Sequence, residues 1–123
     1  MRDSHGFTLL ELLLIAVIVG ILAGLSIPAY SSFPVRGFDV RVASTVRGVA
    51  TSEEAYYATH RIYAGNVSDL RDVVFDGVVI TVGPGNSGDL ATSFRVTGTH
   101  PKAARRYTWL SDPKPGERNL IEN

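Results

Sequence analysis

The apolar residues of this chain follow two different patterns along its length. Residues 7–27 read FTLLELLLIAVIVGILAGLSI and are almost wholly apolar, with Glu11 as the single charged residue. A helix of roughly 20 apolar residues, rising ~1.5 Å per residue, matches the hydrocarbon thickness of a bilayer. The run therefore predicts a membrane-length helix. The short polar segment before it, MRDSHG, is typical of the region that precedes an apolar insertion signal.

Glu11 is the residue that makes this run informative. A carboxylate among leucines, isoleucines and valines costs several kcal/mol in a bilayer unless another group pairs with it. We therefore expect Glu11 to have a partner outside the run. The plainer alternative is a polar residue tolerated near the end of an anchor.

The pattern changes after Pro28, which lacks the amide for an intrahelical hydrogen bond and predicts a kink. Beyond the kink, apolar positions recur at spacings of three and four, which indicates an amphipathic helix ending near His60. Its expected buried stripe consists of Val35, Phe38, Val42, Val46, Val49, Glu53 and Tyr56.

The remaining half of the chain predicts a small antiparallel sheet. A loop is expected over about 61–77, with Ser68 capping a short helical turn that carries Leu70, Val73 and Val74. Alternating apolar positions then predict strands around 78–82, 94–96 and 107–109, with a brief fourth strand at Leu120 and Ile121. Sequential strands with short connections favour a meander that packs on the helix stripe. The predicted fold class is α+β.

Composition narrows the function classes. The chain has 123 residues, 12 basic and 12 acidic residues, a net charge of +0 and no cysteine. This length allows one membrane element and one small domain. Disulfides, thiol catalysis and thiolate metal sites are excluded, and no global charge attracts nucleic acid or acidic lipid.

No catalytic or cofactor site is predicted. His5 lies in the polar leader, and His60 and His100 show no metal-ligand or catalytic spacing, so isolated surface histidines are expected. The stretch GPGNSGD at residues 83–89 lacks the GK[ST] ending of a phosphate loop and predicts a hairpin turn. A calcium site is the alternative for three acidic residues, although their spacing gives no ligand pattern. These residues are Asp89, Asp112 and Glu117.

One local basic patch stands beside Tyr107 and Trp109. Basic side chains near aromatic rings can hold phosphate and stack bases, so contact with nucleic acid is one hypothesis. The alternative is a solvated turn next to aromatic core residues. The patch consists of Arg95, Lys102, Arg105 and Arg106.

The opening GFTLLELL resembles the signature of bacterial type IV pilins and type II secretion pseudopilins. The matching features are Gly6 before Phe7, Glu11 four residues after Phe7, and Pro28 at the far end of the apolar run. The resemblance implies the type IV pilin fold, a long kinked N-terminal helix whose second half packs on a small sheet of three to four antiparallel strands. It also implies a prepilin peptidase that cuts between Gly6 and Phe7 and N-methylates Phe7.

The resemblance implies a role for each part of the chain. Residues 1–6 would be the removed leader, 7–33 the transmembrane and filament-core half of the helix, 34–60 its amphipathic half, and 61–123 the αβ-loop and sheet. Glu11 would meet the amine of Phe7 from an adjacent subunit. Four further residues would serve close helix packing and local melting in the filament: Ala16, Gly20, Gly24 and Pro28.

Two departures from the family pattern affect these expectations. Pro34 and Gly37 stand where members of the family have continuous helix, so a second bend or break of the helix is possible there. The absence of cysteine removes the disulfide that closes the C-terminal region of many major pilins. That edge must then be secured by Leu120, Ile121 or contacts between subunits.

The expected function is a structural pilin, not an enzyme, without metal or cofactor. It would wait in the inner membrane and then polymerise with other pilin subunits into a surface pilus, through a separate assembly machinery. The outputs would be motility, adhesion or DNA uptake. One alternative is a periplasmic pseudopilin of type II secretion. Another is a binding or enzymatic domain that uses the apolar run only as an anchor.

Overall fold

The computed structural model describes the backbone of residues 6–123 and the side chains of residues 6–25 and 34–123. The chain divides into two compact units, Met1–Phe33 and Pro34–Asn123. Residues 1–5, which form most of the expected leader and include His5, lie outside the description.

Helix α1 spans Leu9–His60 and is 52 residues long. It ends at the predicted position. Pro34 and Gly37 lie inside the helix and do not interrupt it, although a proline within a helix reduces helix stability by ~3 kcal/mol. Packing of the residues that follow can offset such a cost, because tertiary contacts override local propensity. The predicted effect of Pro28 falls on residues 26–33, whose side chains lie outside the description.

In the first unit the apolar side chains are exposed all around the helix. Every large apolar residue between Phe7 and Leu25 is exposed, from 44% at Ile15 to 82% at Leu9. Within the described residues, no helix combines the length and the apolar character needed to cross a membrane.

The second unit contains a four-stranded antiparallel sheet in the order β1-β2-β3-β4. This is the predicted meander, and the predicted α+β class is confirmed. Its strands are β1 (Val79–Pro84), β2 (Phe94–Thr99), β3 (Tyr107–Leu110) and β4 (Leu120–Glu122).

The core of the second unit lies between α1 and the sheet. Val42, Val46 and Val49 are fully buried against Phe94 and Val96 of β2. Gly98 makes this close approach feasible, because a Cβ at that position would overlap the side chain of Val46 and crowd that of Val42. The predicted stripe of α1 therefore buries its middle section on the sheet.

The segment before β1 does not form the predicted helical turn. A single 3-10 turn spans Val67–Asp69, so Ser68 lies inside it and does not cap it. Asp72 then takes a φ of 59°, a left-handed conformation that ends helical geometry before Val73 and Val74. The prediction of a Ser68-capped turn was wrong, because the turn begins before Ser68, with Asn66 in the N-cap position, and Asp72 leaves helical geometry after it.

The C-terminal edge is held without a disulfide. The backbones of Arg106 and Asn123 exchange two hydrogen bonds of 2.9 Å, and Asn119 Nδ2 donates to the carbonyl oxygen of Leu110 at 2.9 Å. Arg105 and Glu122 form an ion pair across the same edge. Backbone pairing and one ion pair therefore secure β4.

Candidate functional site

The Gly6–Phe7 peptide bond lies in an exposed, non-helical segment. Residues 6–8 precede the first turn of α1 and have no regular secondary structure, and the side chain of Phe7 is 70% exposed. A peptidase needs an extended, accessible bond, because helical hydrogen bonding would hold the bond out of reach of a cleft. The local geometry is therefore compatible with cleavage at this bond.

Thr8 caps the helix immediately after that bond. Its Oγ1 accepts a hydrogen bond from the Glu11 amide at 3.3 Å, and its carbonyl oxygen accepts from the amides of Glu11 and Leu12 at 3.1 and 3.2 Å. The sequence Thr8-x-x-Glu11 is the capping-box pattern, which is the signal that would have predicted the start of α1 at Leu9. Thr8 is the residue that our sequence reasoning missed.

Glu11 stands in the first turn of α1. A carboxylate there is favoured by the positive end of the helix dipole. Its side chain is exposed, and within the described part of the chain its carboxylate makes no hydrogen bond or ion pair. The carboxylate is therefore open to a partner from another molecule.

The stripe of small residues is also open. Ala16, Gly20 and Gly24 recur every four residues on α1, and a Cβ added at either glycine would meet nothing within 4 Å. Another helix can approach closely along such a stripe. Pro28, the fourth residue of this prediction, lies outside the described side chains.

The residues of the predicted basic patch lie at two opposite ends of strand β3. Arg95 pairs with Leu110 at one end of β3, whereas Lys102 and Arg105 lie in the loop that enters β3 at Tyr107. Three register steps of ~3.3 Å separate the two ends, so Arg95 is about 10 Å along the strands from the other end. Arg106 joins the second group, next to Tyr107.

Other contacts already engage the residues of this patch. The Arg105 side chain is paired with Glu122, and the Lys102 ammonium lies 5.7 Å from the centre of the Phe38 ring. Tyr107 is buried, and Trp109 lies opposite the buried Val96 and packs against the core. These aromatic rings belong to the core, so the geometry favours the alternative of a solvated turn beside core aromatics.

The two described histidines lie in separate stacked pairs. The His60 ring stacks on Tyr56 at 3.9 Å, and the His100 ring stacks on Phe38 at 4.5 Å. Neither contact forms part of a set of nucleophile, base and orienting group.

The loop between β1 and β2 binds the Asp112 carboxylate through hydrogen bonds. The amides of Asn86 and Ser87 donate to the Asp112 carboxylate at 2.9 and 2.8 Å. Burial acts to raise the pKa of Asp112, but these hydrogen bonds outweigh it and lower the pKa. Gly85 is required here, because a Cβ would overlap the Asp112 carboxylate. Over the described residues, no group of three or more His, Asp or Glu side chains is arranged to hold a metal ion.

Comparison with known proteins gives the N-terminal features a context. Residues 1–27 match the family model of the prokaryotic N-terminal methylation motif. The chain is 34% identical over 83 residues to a fimbrial protein of Moraxella nonliquefaciens, covering 68% of this chain and 51% of that protein. It is 36% identical over 63 residues to the type IV major pilin protein PilE1 of Neisseria gonorrhoeae, covering 51% of this chain and 29% of that pilin.

A longer but weaker match extends the similarity. The fimbrial protein EcpC of Eikenella corrodens is 26% identical over 101 residues, covering 77% of this chain and 65% of that protein. The chain matches about half of the length of the Moraxella protein and less than half of the Neisseria pilin.

Proposed function

We propose that the chain belongs to the type IV pilin family and is a structural subunit of a pilus, because residues 1–27 match the N-terminal methylation motif and the chain is similar to fimbrial proteins and type IV major pilins. It acts by polymerising with other pilin subunits. Its work is mechanical and not enzymatic.

The exposed apolar segment of α1 carries this proposal. All large apolar side chains from Phe7 to Leu25 are exposed in the isolated chain. A helix that is apolar all round needs an apolar environment on every side, either lipid or other helices. A subunit that waits in the inner membrane and then joins a surface filament provides both environments in turn.

Processing prepares the segment for assembly. In our proposal a prepilin peptidase removes residues 1–6 by cutting between Gly6 and Phe7, and the new amine of Phe7 is methylated. The exposed, non-helical position of this bond before Thr8 supports the step. Residues 7–33 then form the membrane and filament-core part, and 34–123 remain outside it.

Glu11 sets the register between subunits. Its open carboxylate pairs with the positively charged amine of Phe7 from a neighbouring subunit. Burying two opposite charges together costs far less than burying either alone, so a correctly placed neighbour is favoured over one displaced along the axis. The small residues Ala16, Gly20 and Gly24 allow the neighbouring helices to approach closely.

Filament yield in a Glu11→Ala variant tests this proposal. Cells that carry only the variant are compared with wild type and with Glu117→Ala, which removes one exposed carboxylate from the loop between β3 and β4. Sheared filaments are counted by electron microscopy, and the subunit in the membrane fraction is quantified. We expect Glu11→Ala to accumulate in the membrane with a loss of filaments of tenfold or more, because the amine of Phe7 is then buried without its partner, at a cost of about 3 kcal/mol, and ~1.4 kcal/mol corresponds to a factor of ten.

Normal filaments from Glu11→Ala would contradict the role of Glu11. A loss of filaments in Glu117→Ala of the same size would show that the assay responds to charge in general and would also contradict it.

A further inference from the structure

Glu53 is a buried carboxyl in which only one of the two oxygens has a hydrogen-bond partner among the described residues. Its side chain is fully buried in the second unit. Its Oε2 accepts a hydrogen bond from the Ala64 amide at 2.8 Å, whereas its Oε1 has no hydrogen-bond partner among the described residues. A buried polar atom without a partner is costly, so this position requires an explanation.

The electrostatic surroundings of Glu53 oppose ionisation. Together they raise its pKa from the ordinary 4.5 to about 7, and desolvation by burial is the largest cause. Within this net change the hydrogen bond from Ala64 lowers the pKa, while the negative charges of Glu54 on α1 and Asp69 in the 3-10 turn contribute to the rise. The Tyr63 phenol is a further titratable group near Glu53. Burial raises the pKa of Tyr63, and the negative charge of Glu53 contributes to the rise. The Tyr63 hydroxyl lies 3.5 Å from both carboxylate oxygens of Glu54.

Glu53 lies at the junction between the end of α1 and the loop that leaves it. Beyond the Ala64 bond, the Tyr63 amide donates to the carbonyl oxygen of Leu90 at 2.9 Å. The Tyr63 ring stacks on Tyr57 at 4.5 Å and leans on Phe94 at 4.7 Å. Arg61 has a φ of 60°, an uncommon conformation for a residue other than glycine. Residues 61–65, which we call the junction segment, are thus held by a few specific contacts.

We propose that Glu53 is a proton-binding site that controls how firmly the junction segment is held against α1. With the proton bound, the carboxyl is neutral and its burial costs far less than that of a carboxylate. After the proton leaves, a carboxylate with one unpartnered oxygen lies in the apolar core, and opening of the junction segment admits water to it. This inference does not depend on the proposed role in a filament.

The direction of the pH dependence follows from the raised pKa. The closed form binds the proton up to about pH 7, whereas an opened or unfolded Glu53 has its ordinary value of 4.5. The closed form is therefore favoured fully below pH 4.5 and progressively less as the pH rises to about 7. Above that range both forms are ionised, and the preference no longer changes.

Amide hydrogen exchange of the full chain in detergent micelles tests the proposal. After correction for intrinsic exchange, we expect the protection of the Ala64 amide to fall by roughly tenfold per pH unit between pH 5 and 6.5 and to level off above pH 7. Glu53→Gln, which keeps the acceptor and the shape, should remove this pH dependence. Glu54→Gln, the exposed neighbour, should retain it.

A direct titration keeps the proposal falsifiable if Glu53→Gln does not fold. The side-chain carboxyl carbon of Glu53 is followed by NMR in the wild-type chain, and we expect a midpoint near pH 7. A midpoint near the ordinary value, protection at Ala64 that is constant with pH, or equal pH dependence in a folded Glu53→Gln would each overturn the proposal.

Discussion

The two parts of α1 share a secondary structure but differ in what surrounds their side chains. Between Leu9 and Leu25 the large apolar side chains are exposed on all sides. Between Pro34 and His60 one apolar stripe is buried on the sheet through Val42, Val46 and Val49. The second part finds its apolar partner within its own chain, whereas in our proposal the first part is covered by lipid and then by other subunits. The contrast shows that one helix can be designed for two different environments.

The largest difference in the free energy of unfolding should appear when valine is replaced by serine once in each part of α1. Val46→Ser places a hydroxyl in a fully buried site and leaves a cavity, so we expect a loss of ~3 kcal/mol in the free energy of unfolding. Val17→Ser changes a side chain that is 51% exposed, and we expect a change below about 0.5 kcal/mol. Chemical denaturation of the full chain in detergent measures both. Equal losses would contradict the proposed division of α1.

A smaller effect is expected from the glycine at the interface between helix and sheet. Gly98→Ala forces a Cβ against Val46 and should cost about 2 kcal/mol, because a well-packed core resists added volume. Gly83→Ala is the matched control, since a Cβ on this strand glycine meets nothing within 4 Å. The measurement is again the free energy of unfolding. A Gly98→Ala variant as stable as the Gly83→Ala control would show that the helix and sheet are not in close contact.

The carboxylate that joins two loops should contribute less. Asp112→Asn replaces the acceptor of two backbone amides and should cost ~1 kcal/mol, with Glu117→Gln as a neutral control. Because the pKa of Asp112 is lowered in the folded chain, its stabilisation is present above the ordinary value of 3.8 and is lost as the pH falls below it. Unfolding curves at pH 6 and pH 3 should therefore differ more for wild type than for Asp112→Asn. A difference of the same size in both proteins would refute this role.

The smallest effect concerns the helix cap beside the processing site. Thr8→Ala removes an acceptor from the first turn and should reduce local helix stability by ~1 kcal/mol or less. Thr51→Ala, whose hydroxyl donates to the Arg47 carbonyl oxygen within the helix, should be nearly neutral. Exchange protection of the Leu12 amide reports the first turn. If this protection is unchanged in Thr8→Ala, the cap does not hold the helix start.

Much of the fold could be predicted because the relevant signals are local. The three-and-four spacing located the buried stripe of α1, and alternation located the strands, including the brief strand at Leu120 and Ile121. The turn at residues 67–69 was not predicted, and it is held by two local backbone hydrogen bonds, from Asp69 to Asn66 and from Leu70 to Val67. The continuity of α1 through Pro34 and Gly37 likewise could not be predicted, because local propensity favours an interruption there.

The candidate site was predictable in its motif but not in its geometry. Glu11 was identified because a carboxylate in an apolar run is expensive, while Thr8 was missed although Thr-x-x-Glu is a recognised capping pattern. Sequence spacing grouped Arg95 with Lys102, Arg105 and Arg106, and only the strand register separates them. Glu53 was placed on the buried face, but its unpartnered oxygen requires a structure to be seen.

Mass spectrometry of sheared surface filaments tests the central claim most directly. If the chain is a processed pilin, the filaments should contain a subunit that begins at Phe7 and has one methyl group on its amine. Peptides from the second unit, Pro34–Asn123, should be detected in the same subunit. A chain that retains residues 1–6 and stays with the cells, absent from the filaments, would contradict the account.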